Sequence, residues 1–421
     1  MALANDTTGG FLATRWRRTE SFRSRLDRSF PRLARRLPEG VVNGFDYVYR
    51  TWQLLSQFYL TYLIAAGVMI IIPSLMQNGL VPYLSGSYGV TVLFNTGYWI
   101  LLTLGLSVVV GLAGLLDLGY VAFFMIGAYI TALMTASGSP DQFHIVEWPV
   151  WASIPFAILA AMIAGFTLGI PTLRLRGDYL AIVTLGFHEI VRQSINNLDI
   201  LNGSRGIAGI PTPSIGDYQF GLDAEKYWWF LLIPAILIAV IMIRHLDNSR
   251  VGRYWSAIRE DEVAAAAMGV PVTKMKVLAF VIGASTSGLA GWIYAVKVTY
   301  VAPNSFLLLL SILVLCSVVI GGLGSISGAV LGGVLVMMLP EIVRSASDGR
   351  AVFGFDIETG RIAVFGVLLI VVMIYRPGGL LAARRRRTEL SDTVSSEAVV
   401  EETEEPAITR NADRQDERKD G

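Results

Sequence analysis

Residues 250–276 read RVGRYWSAIREDEVAAAAMGVPVTKMK, and this strongly charged segment lies between two long apolar runs, Trp228–Ile243 and Leu278–Val296. The apolar runs have the composition of helices that cross a lipid bilayer, whereas the charges between them belong in water. Within the segment, an acidic cluster, an alanine run and then Gly269 predict a short amphipathic helix that ends at the glycine. We therefore expect a membrane protein that presents this helix on one side of the bilayer, where another protein can dock.

The composition extends this interpretation to the whole chain. Of the 421 residues, 53% are hydrophobic and only 16% are charged, whereas about 25% are charged in soluble proteins. The alternating segments of a transmembrane barrel are absent from the sequence. We predict an all-α, polytopic helical membrane protein with about ten transmembrane helices, each crossing a hydrocarbon core of about 30 Å. The predicted spans are Phe58–Ser74, Val90–Leu115, Val121–Ala136, Val150–Leu173, Tyr179–Leu198, Trp228–Ile243, Leu278–Val296, Phe306–Gly322, Ser327–Leu339 and Ile362–Tyr375.

Arginine and lysine predict the orientation, because short cytoplasmic loops retain these residues. Many arginines precede the first predicted span, and the run Arg384–Arg387 follows the last one. Both termini are therefore expected in the cytoplasm, which requires an even number of spans. Ten spans also place Arg174, Arg176 and segment 250–276 inside, so we predict a multi-pass protein of the plasma membrane.

The chain divides into three parts. Residues 1–50 are a basic cytoplasmic arm, and residues 51–380 are the transmembrane domain, which includes segment 250–276. Residues 381–421 are a tail that is first basic and then acidic, with too little apolar surface to fold, so we expect it to be disordered in the cytoplasm. The first apolar run begins too far into the chain for a cleavable signal peptide.

Small residues recur four positions apart in several predicted spans, which lets helix backbones approach closely. The stretch from Ser107 to Gly114 also resembles the stretch from Ser317 to Gly324, which indicates a weak internal repeat, with chance similarity as the alternative. Internal repeats in membrane transporters often carry glycine-broken helices. The residues assigned to helix packing or helix breaks are Gly111, Gly114, Gly321, Gly324, Gly328 and Gly332, and further small-residue stripes are Ala161, Gly165, Gly169 and Gly283, Ser287, Gly291.

The fifth predicted span carries an unusual number of polar residues for a membrane helix. A charged side chain at the centre of a span costs roughly 2.5–3.5 kcal/mol on insertion scales, so such residues should face protein, water or each other. We predict that they line a translocation route. The alternative is a structural ion pair that orients the helix or lies at a subunit interface. The candidates are Thr184, His188, Glu189, Arg192 and Asn196.

Several chemical functions have no support in the sequence. The three histidines are far apart and have no thiol or carboxylate cluster beside them, and Cys316 lies inside an apolar run, so no metal site is expected. There is no phosphate-binding loop for nucleotide hydrolysis, and neither a G-x-S-x-G nor an H-E-x-x-H motif is present. We therefore predict a protein that is not an enzyme, holds no cofactor and binds no nucleic acid.

Five stretches, taken together and in this order, carry a resemblance to a known family. They are GLSVVVGLAGLLDLGYVAFFMIGAY (105–129), LRLRGDYLAIVTLGFHEIVR (173–192), NGSRGIAGIP (202–211), REDEVAAAAMGV (259–270) and SVVIGGLGSISGAVLGG (317–333). They resemble the inner-membrane permease subunits of ABC importers for branched-chain amino acids. Residues of about 1–50 and 388–421 fall outside the resemblance.

The resemblance implies a heteromeric importer in which this chain is one permease. The implied partners are a second homologous permease, two cytoplasmic ATPases that bind the ATP, and an extracytoplasmic substrate-binding protein. In such importers a cytoplasmic Glu-Ala-Ala-x-x-x-Gly loop docks on the ATPase. Here Val263 holds the Glu position and the acid is displaced by one residue, so docking is assigned to the whole segment Arg259–Val270. The docking candidates are Arg259, Glu260, Asp261, Glu262, Ala264, Ala265 and Gly269.

Leucine, isoleucine and valine are the expected substrates, and the alternative within the same importer family is urea or a short amide. A rival of another class is a secondary transporter driven by an ion gradient, which would use Glu189 and Arg192. A further rival is a membrane scaffold whose cytoplasmic helix only recruits a partner. The first rival predicts uptake without an ATPase, and the second predicts no uptake.

Overall fold

The structure is a computed structural model of the chain. It describes residues 86–136, 148–172, 177–215, 218–221 and 225–346, together with residues 366, 370, 374, 375 and 379–381. Helices dominate this part of the chain, which confirms the all-α prediction. The ten α-helices among the described residues are α1 (Gly86–Leu106), α2 (Val121–Thr135), α3 (Ser153–Thr172), α4 (Asp178–Asn197), α5 (Glu225–Asp247), α6 (Arg250–Glu260), α7 (Glu262–Ala267), α8 (Val272–Val298), α9 (Leu308–Gly321) and α10 (Ile326–Ala346).

Five helical stretches in the described part are long and apolar enough to cross a membrane, and two shorter apolar helices accompany them. They coincide with seven of the predicted spans, so the polytopic helical prediction is confirmed. Helix α4, which we also predicted as a span, is less apolar than these seven. The predicted span Phe58–Ser74 and most of Ile362–Tyr375 lie outside the described residues, and the number ten therefore stays a prediction. The five long stretches are Tyr88–Leu112, Val150–Pro171, Trp228–Asp247, Val272–Val298 and Pro303–Gly321, and the two shorter ones are Val121–Thr135 and Ile326–Glu341.

Helix α8 is the central helix of the bundle and packs against α1, α2 and α3. Small residues allow the close approach. A Cβ atom on Gly288 would lie 2.6 Å from the Cβ of Ala161 in α3, and one on Gly165 would lie 2.8 Å from the Cβ of Ala284. Gly283 faces the backbone of α1 in the same way. The predicted small-residue packing is therefore confirmed for α3 and α8.

The two stretches of the internal repeat contact each other. A Cβ atom on Gly111 would lie 2.8 Å from the backbone nitrogen of Gly324. Gly114 and Gly324 hold equivalent positions in the two stretches, and both have left-handed backbone conformations, with φ of 73° and 78°. In each stretch the first serine is buried and donates its hydroxyl to a carbonyl of the preceding helical turn. The shared geometry supports the internal repeat.

Helix α1 does not lead directly into α2. It continues as a π-helix, Ser107–Leu112, in which the N–H of Ala113 bonds the carbonyl of Val108 at 3.0 Å. Residues 113–120, which we call the α1–α2 break, then run without helical structure to the start of α2. At the end of the break the Tyr120 hydroxyl donates to the carbonyl of Gly283 at 2.9 Å. Because Gly283 lies about 16 Å along α8 from its start, the break reaches deep into the bundle.

The connection between α4 and α5 folds over one end of the bundle. It contains β1 (Ile207–Ala208), β2 (Ser214–Ile215) and β3 (Tyr218–Gln219), and β1 pairs antiparallel with β4 (Tyr300–Val301), which follows α8. Strands β2 and β3 form a small antiparallel pair. The indole nitrogen of Trp151, next to α3, donates to the carbonyl of Ser214 at 2.7 Å. The connection is thus tied to the ends of both α3 and α8.

Candidate functional site

Segment 250–276, which we call the docking segment after its predicted role, consists of α6, α7 and the start of α8. Ser249 caps α6 by accepting the N–H of Val251. The side chain of Trp255 is fully buried, and its indole nitrogen donates to the carbonyl of Met275 at 2.8 Å. The predicted short helix that ends at Gly269 is α7, and a further helix, α6, precedes it and is held against the base of α8.

Three of the predicted docking residues have partners inside the protein. The guanidinium of Arg259 donates to the carbonyl of Gly111 at 2.5 Å, at the end of the π-helix. Glu262 forms an ion pair of 2.8 Å with Lys276, whose side chain is only 4% exposed. The carboxylate of Asp261 caps α7, because it accepts the N–H groups of Val263 and Ala264 in the first turn of that helix. These charges fix the shape of the docking segment.

The surface that α7 presents to solvent is apolar. Met268 is 85% exposed and Val263 is 57% exposed, with Ala264 and Ala267 also exposed beside them. We call these four residues the α7 tip. Ala265, a predicted docking residue, is buried behind it. Gly269 ends the helix as predicted, with a φ of 83°, and Glu260 is exposed at the end of α6.

The polar residues of α4 divide between two faces. Thr184 and His188 are fully buried against the bundle, whereas Glu189 is on the exposed side. Glu189 and Arg192 form the ion pair that was the alternative to a translocation role. Arg192 and Asn196 are half-buried. Glu189 is thus the one predicted pathway residue on the exposed side of α4.

The buried face of α4 meets the α1–α2 break in a group of polar side chains. The hydroxyl of Thr184 accepts the N–H of Leu118 at 3.0 Å. Asp117 is fully buried, and its Oδ1 accepts the N–H of Gly119 at 2.8 Å. The hydroxyl of Ser311 in α9 accepts the N–H of Val121 at 3.3 Å. We call Asp117, Thr184, His188 and Ser311 the polar cluster.

Sequence analysis did not select Asp117 or Ser311. Asp117 is a single acid in an apolar stretch, and an acid in such a stretch is a default indication of function. It was overlooked because its partners come from other helices, far away in the chain. Among the described residues, no group of three or more potential metal ligands is found.

The fold and these sites can be compared with known proteins. Residues 88–374 match the family described as the permease component of the branched-chain amino acid transport system. The high-affinity branched-chain amino acid transport system permease protein LivM of Salmonella typhimurium is 38% identical over 331 residues, which cover 73% of each chain. LivM of Escherichia coli is 37% identical over 74% of each chain. LivH of Escherichia coli is 26% identical over 67% of this chain and 90% of its own.

No solved structure matches the chain. The family match nevertheless spans every described helix from α2 to α10 and most of α1. It includes the docking segment, the α1–α2 break and the stretches that carried the resemblance in the sequence. The chain is a multi-pass membrane protein that belongs to the family of branched-chain amino acid transport permeases.

Proposed function

We propose that this chain is one of two permease subunits in an ATP-driven importer of branched-chain amino acids. The observation that carries the proposal is the docking segment, which is braced from inside by Trp255, Arg259 and Lys276 and presents an apolar tip outside. A rigid base with an exposed apolar tip is suited to insertion into a groove of another protein, since burial of the tip stabilises the contact. The proteins that we propose to receive the tip are two cytoplasmic ATPases, which bind the ATP.

The contacts of the docking segment suggest how motion reaches the membrane. Closure of the ATPases would displace α6 and α7 together. The Trp255 and Glu262 contacts would pass this displacement to α8, and Arg259 would pass it to the π-helix at the end of α1. Since α8 packs against α1, α2 and α3, a rotation of α8 changes the centre of the bundle. The pathway would thereby alternate between outward-open and inward-open forms.

We further infer that the outer face of α4 contacts a second, homologous permease. This face exposes Ile190 (67%) and Tyr179 together with the Glu189–Arg192 pair. An ion pair facing lipid is costly, whereas a protein interface or a hydrated path between subunits can accommodate it. A photo-crosslinking residue at Ile190 should capture the second permease, and one at Ile163 of α3, which is 57% exposed on an apolar helix, should capture lipid. Equal capture at both positions would contradict the inference.

The remaining parts of the proposal concern placement and substrate. Both termini would be cytoplasmic, on the side of the docking segment, and the membrane would be the plasma membrane. An extracytoplasmic binding protein would deliver leucine, isoleucine or valine. The relatives named for branched-chain amino acid transport support this choice over urea and short amides. The permease itself would catalyse no reaction and hold no cofactor or metal.

The decisive experiment is ATP-dependent leucine uptake into vesicles that contain this chain, the second permease, the ATPases and the binding protein. Met268→Asp and Val263→Asp place a charge on the α7 tip, so both should lose uptake and ATPase co-purification. The control, Thr273→Asp, adds the same charge at an exposed polar position in the first turn of α8, where an acid is well tolerated. Uptake that persists without the ATPases and collapses with the ion gradient would refute the importer and favour a secondary transporter.

A further inference from the structure

The α1–α2 break places irregular backbone inside the bundle. Such backbone is tolerated at membrane depth only where it is buried in protein or lines a cavity. Here Thr184 of α4 accepts the backbone N–H of Leu118, and Ser311 of α9 accepts that of Val121 at the start of α2. The side chain of Tyr120 also anchors the break, because its hydroxyl donates to α8. Short breaks of this kind lie at the substrate sites of many membrane transporters. The break is therefore a candidate site in its own right.

Asp117 gives the break its chemical character. Its Oδ1 is used by the N–H of Gly119, whereas its buried Oδ2 has no partner of hydrogen-bonding geometry among the described residues, although the Thr184 hydroxyl lies near the carboxyl group. A buried polar group without a partner is costly, and a buried carboxylate most of all. One turn along α4 from Thr184, both ring nitrogens of the buried His188 also lack a partner of hydrogen-bonding geometry. Asp117 and His188 can thus form hydrogen bonds with a ligand in addition to those that the described residues make.

The surroundings of the cluster are apolar and aromatic. Phe123, in the first turn of α2, and Phe187, next to His188 in the chain, have ring centroids 6.0 Å apart, and the backbone of Phe306 approaches the ring of His188. Phe123 and Phe306 are fully buried. An acid next to an apolar wall matches a ligand that carries a cationic group and an aliphatic side chain. A free carboxylate oxygen accepts hydrogen bonds, which an ammonium group donates and a second anion cannot.

We propose that Oδ2 of Asp117 receives the α-ammonium group of the transported amino acid, with the aliphatic side chain towards Phe123 and Phe187. The proposal rests on the proposed function and specifies its substrate class, because urea and short amides carry no ammonium group. The polar cluster is closed in this structure, and α4 lies at the edge of the bundle with its opposite face exposed.

The test uses the complete importer reconstituted in vesicles, with leucine supplied at saturating binding protein. Asp117→Asn keeps the bond to Gly119 but removes the charge, so leucine uptake should fall by about 10- to 100-fold, the loss expected for a hydrogen bond to a charged group. Hydrolysis of ATP stimulated by the binding protein should continue. Asp117→Glu keeps the carboxylate and should retain part of the uptake. The control, Asp178→Asn, removes an exposed acid at the start of α4 and should transport normally.

The ratio of leucine imported to ATP hydrolysed separates the outcomes. A fall in this ratio for Asp117→Asn, with recovery in Asp117→Glu, supports the site. Uptake by Asp117→Asn within twofold of the wild type overturns it, as does loss of uptake and ATP hydrolysis together. If Asp117→Asn does not fold, Asp117→Glu decides alone, because retained uptake supports the site and lost uptake overturns it. A wild-type complex without leucine uptake is a different result, which refutes the proposed function itself.

Discussion

Replacement of Glu262 by glutamine should loosen the docking segment from the membrane helices. The side chain of Lys276 is 4% exposed and that of Glu262 is 26% exposed, so the change leaves a nearly buried ammonium group without its counter-ion. Removal of one partner from a fully buried pair costs roughly 3–5 kcal/mol. Because solvent screens the partly exposed glutamate, we expect about 2–3 kcal/mol here.

The assay is thermal unfolding of the purified permease, together with co-purification of the ATPase. At about 2 °C per kcal/mol for a protein of this size class, the midpoint should fall by about 5 °C. Glu260→Gln is the matched control for the unfolding midpoint, since it removes an exposed acid two residues away. The double variant Glu262→Gln/Lys276→Met should recover most of the loss, because a methionine leaves no buried charge.

Equal midpoints for Glu262→Gln and Glu260→Gln would refute this reasoning. The same conclusion would follow if the double variant were less stable than Glu262→Gln, since the cost would then not arise from the unpaired lysine.

Two further predictions follow from contacts between helices. Gly288→Leu should destabilise the protein by about 1–3 kcal/mol through overpacking against Ala161. The check is its thermal unfolding compared with that of Gly186→Leu, which adds the same side chain where no atom lies within 4 Å. Equal midpoints would contradict the prediction. Arg259→Gln should reduce uptake several-fold while the ATPase still co-purifies, because it removes the bond to Gly111 and leaves the α7 tip intact. If Arg259→Gln takes up leucine as well as the control Arg253→Gln does, the bond between Arg259 and Gly111 does not transmit the motion of the ATPases.

The helices could be predicted from the sequence because each depends on a local property. Apolar length predicted the long spans, and Gly269 predicted the end of α7, since a left-handed residue there favours glycine. The spacing of small residues likewise predicted the close approach of α3 and α8. The preceding helix α6 was not predicted, and its separation from α7 depends on Asp261, which caps α7.

The candidate site was harder to predict because it depends on distant parts of the chain. The partner of Glu262 is Lys276, and that of Arg259 is the carbonyl of Gly111 in another helix. A sequence pattern therefore identified these charges as important but assigned them to the surface. On α4, the burial of Thr184 and His188 and the exposure of Glu189 depend on the neighbouring helices and the α1–α2 break.

The π-helix at the end of α1 has a mechanical consequence. A π-helix closes its hydrogen bonds over one more residue than an α-helix, so the segment Ser107–Leu112 stores spare chain length. Return to α-helical bonding would release one residue, which corresponds to a rise of about 1.5 Å and a rotation of about 100°. The chain beyond it can therefore advance or turn by one residue while the rest of α1 keeps its packing. Because Arg259 bonds the carbonyl of Gly111 inside this segment, a displacement of α6 would act directly on the register of the chain that leads to Asp117.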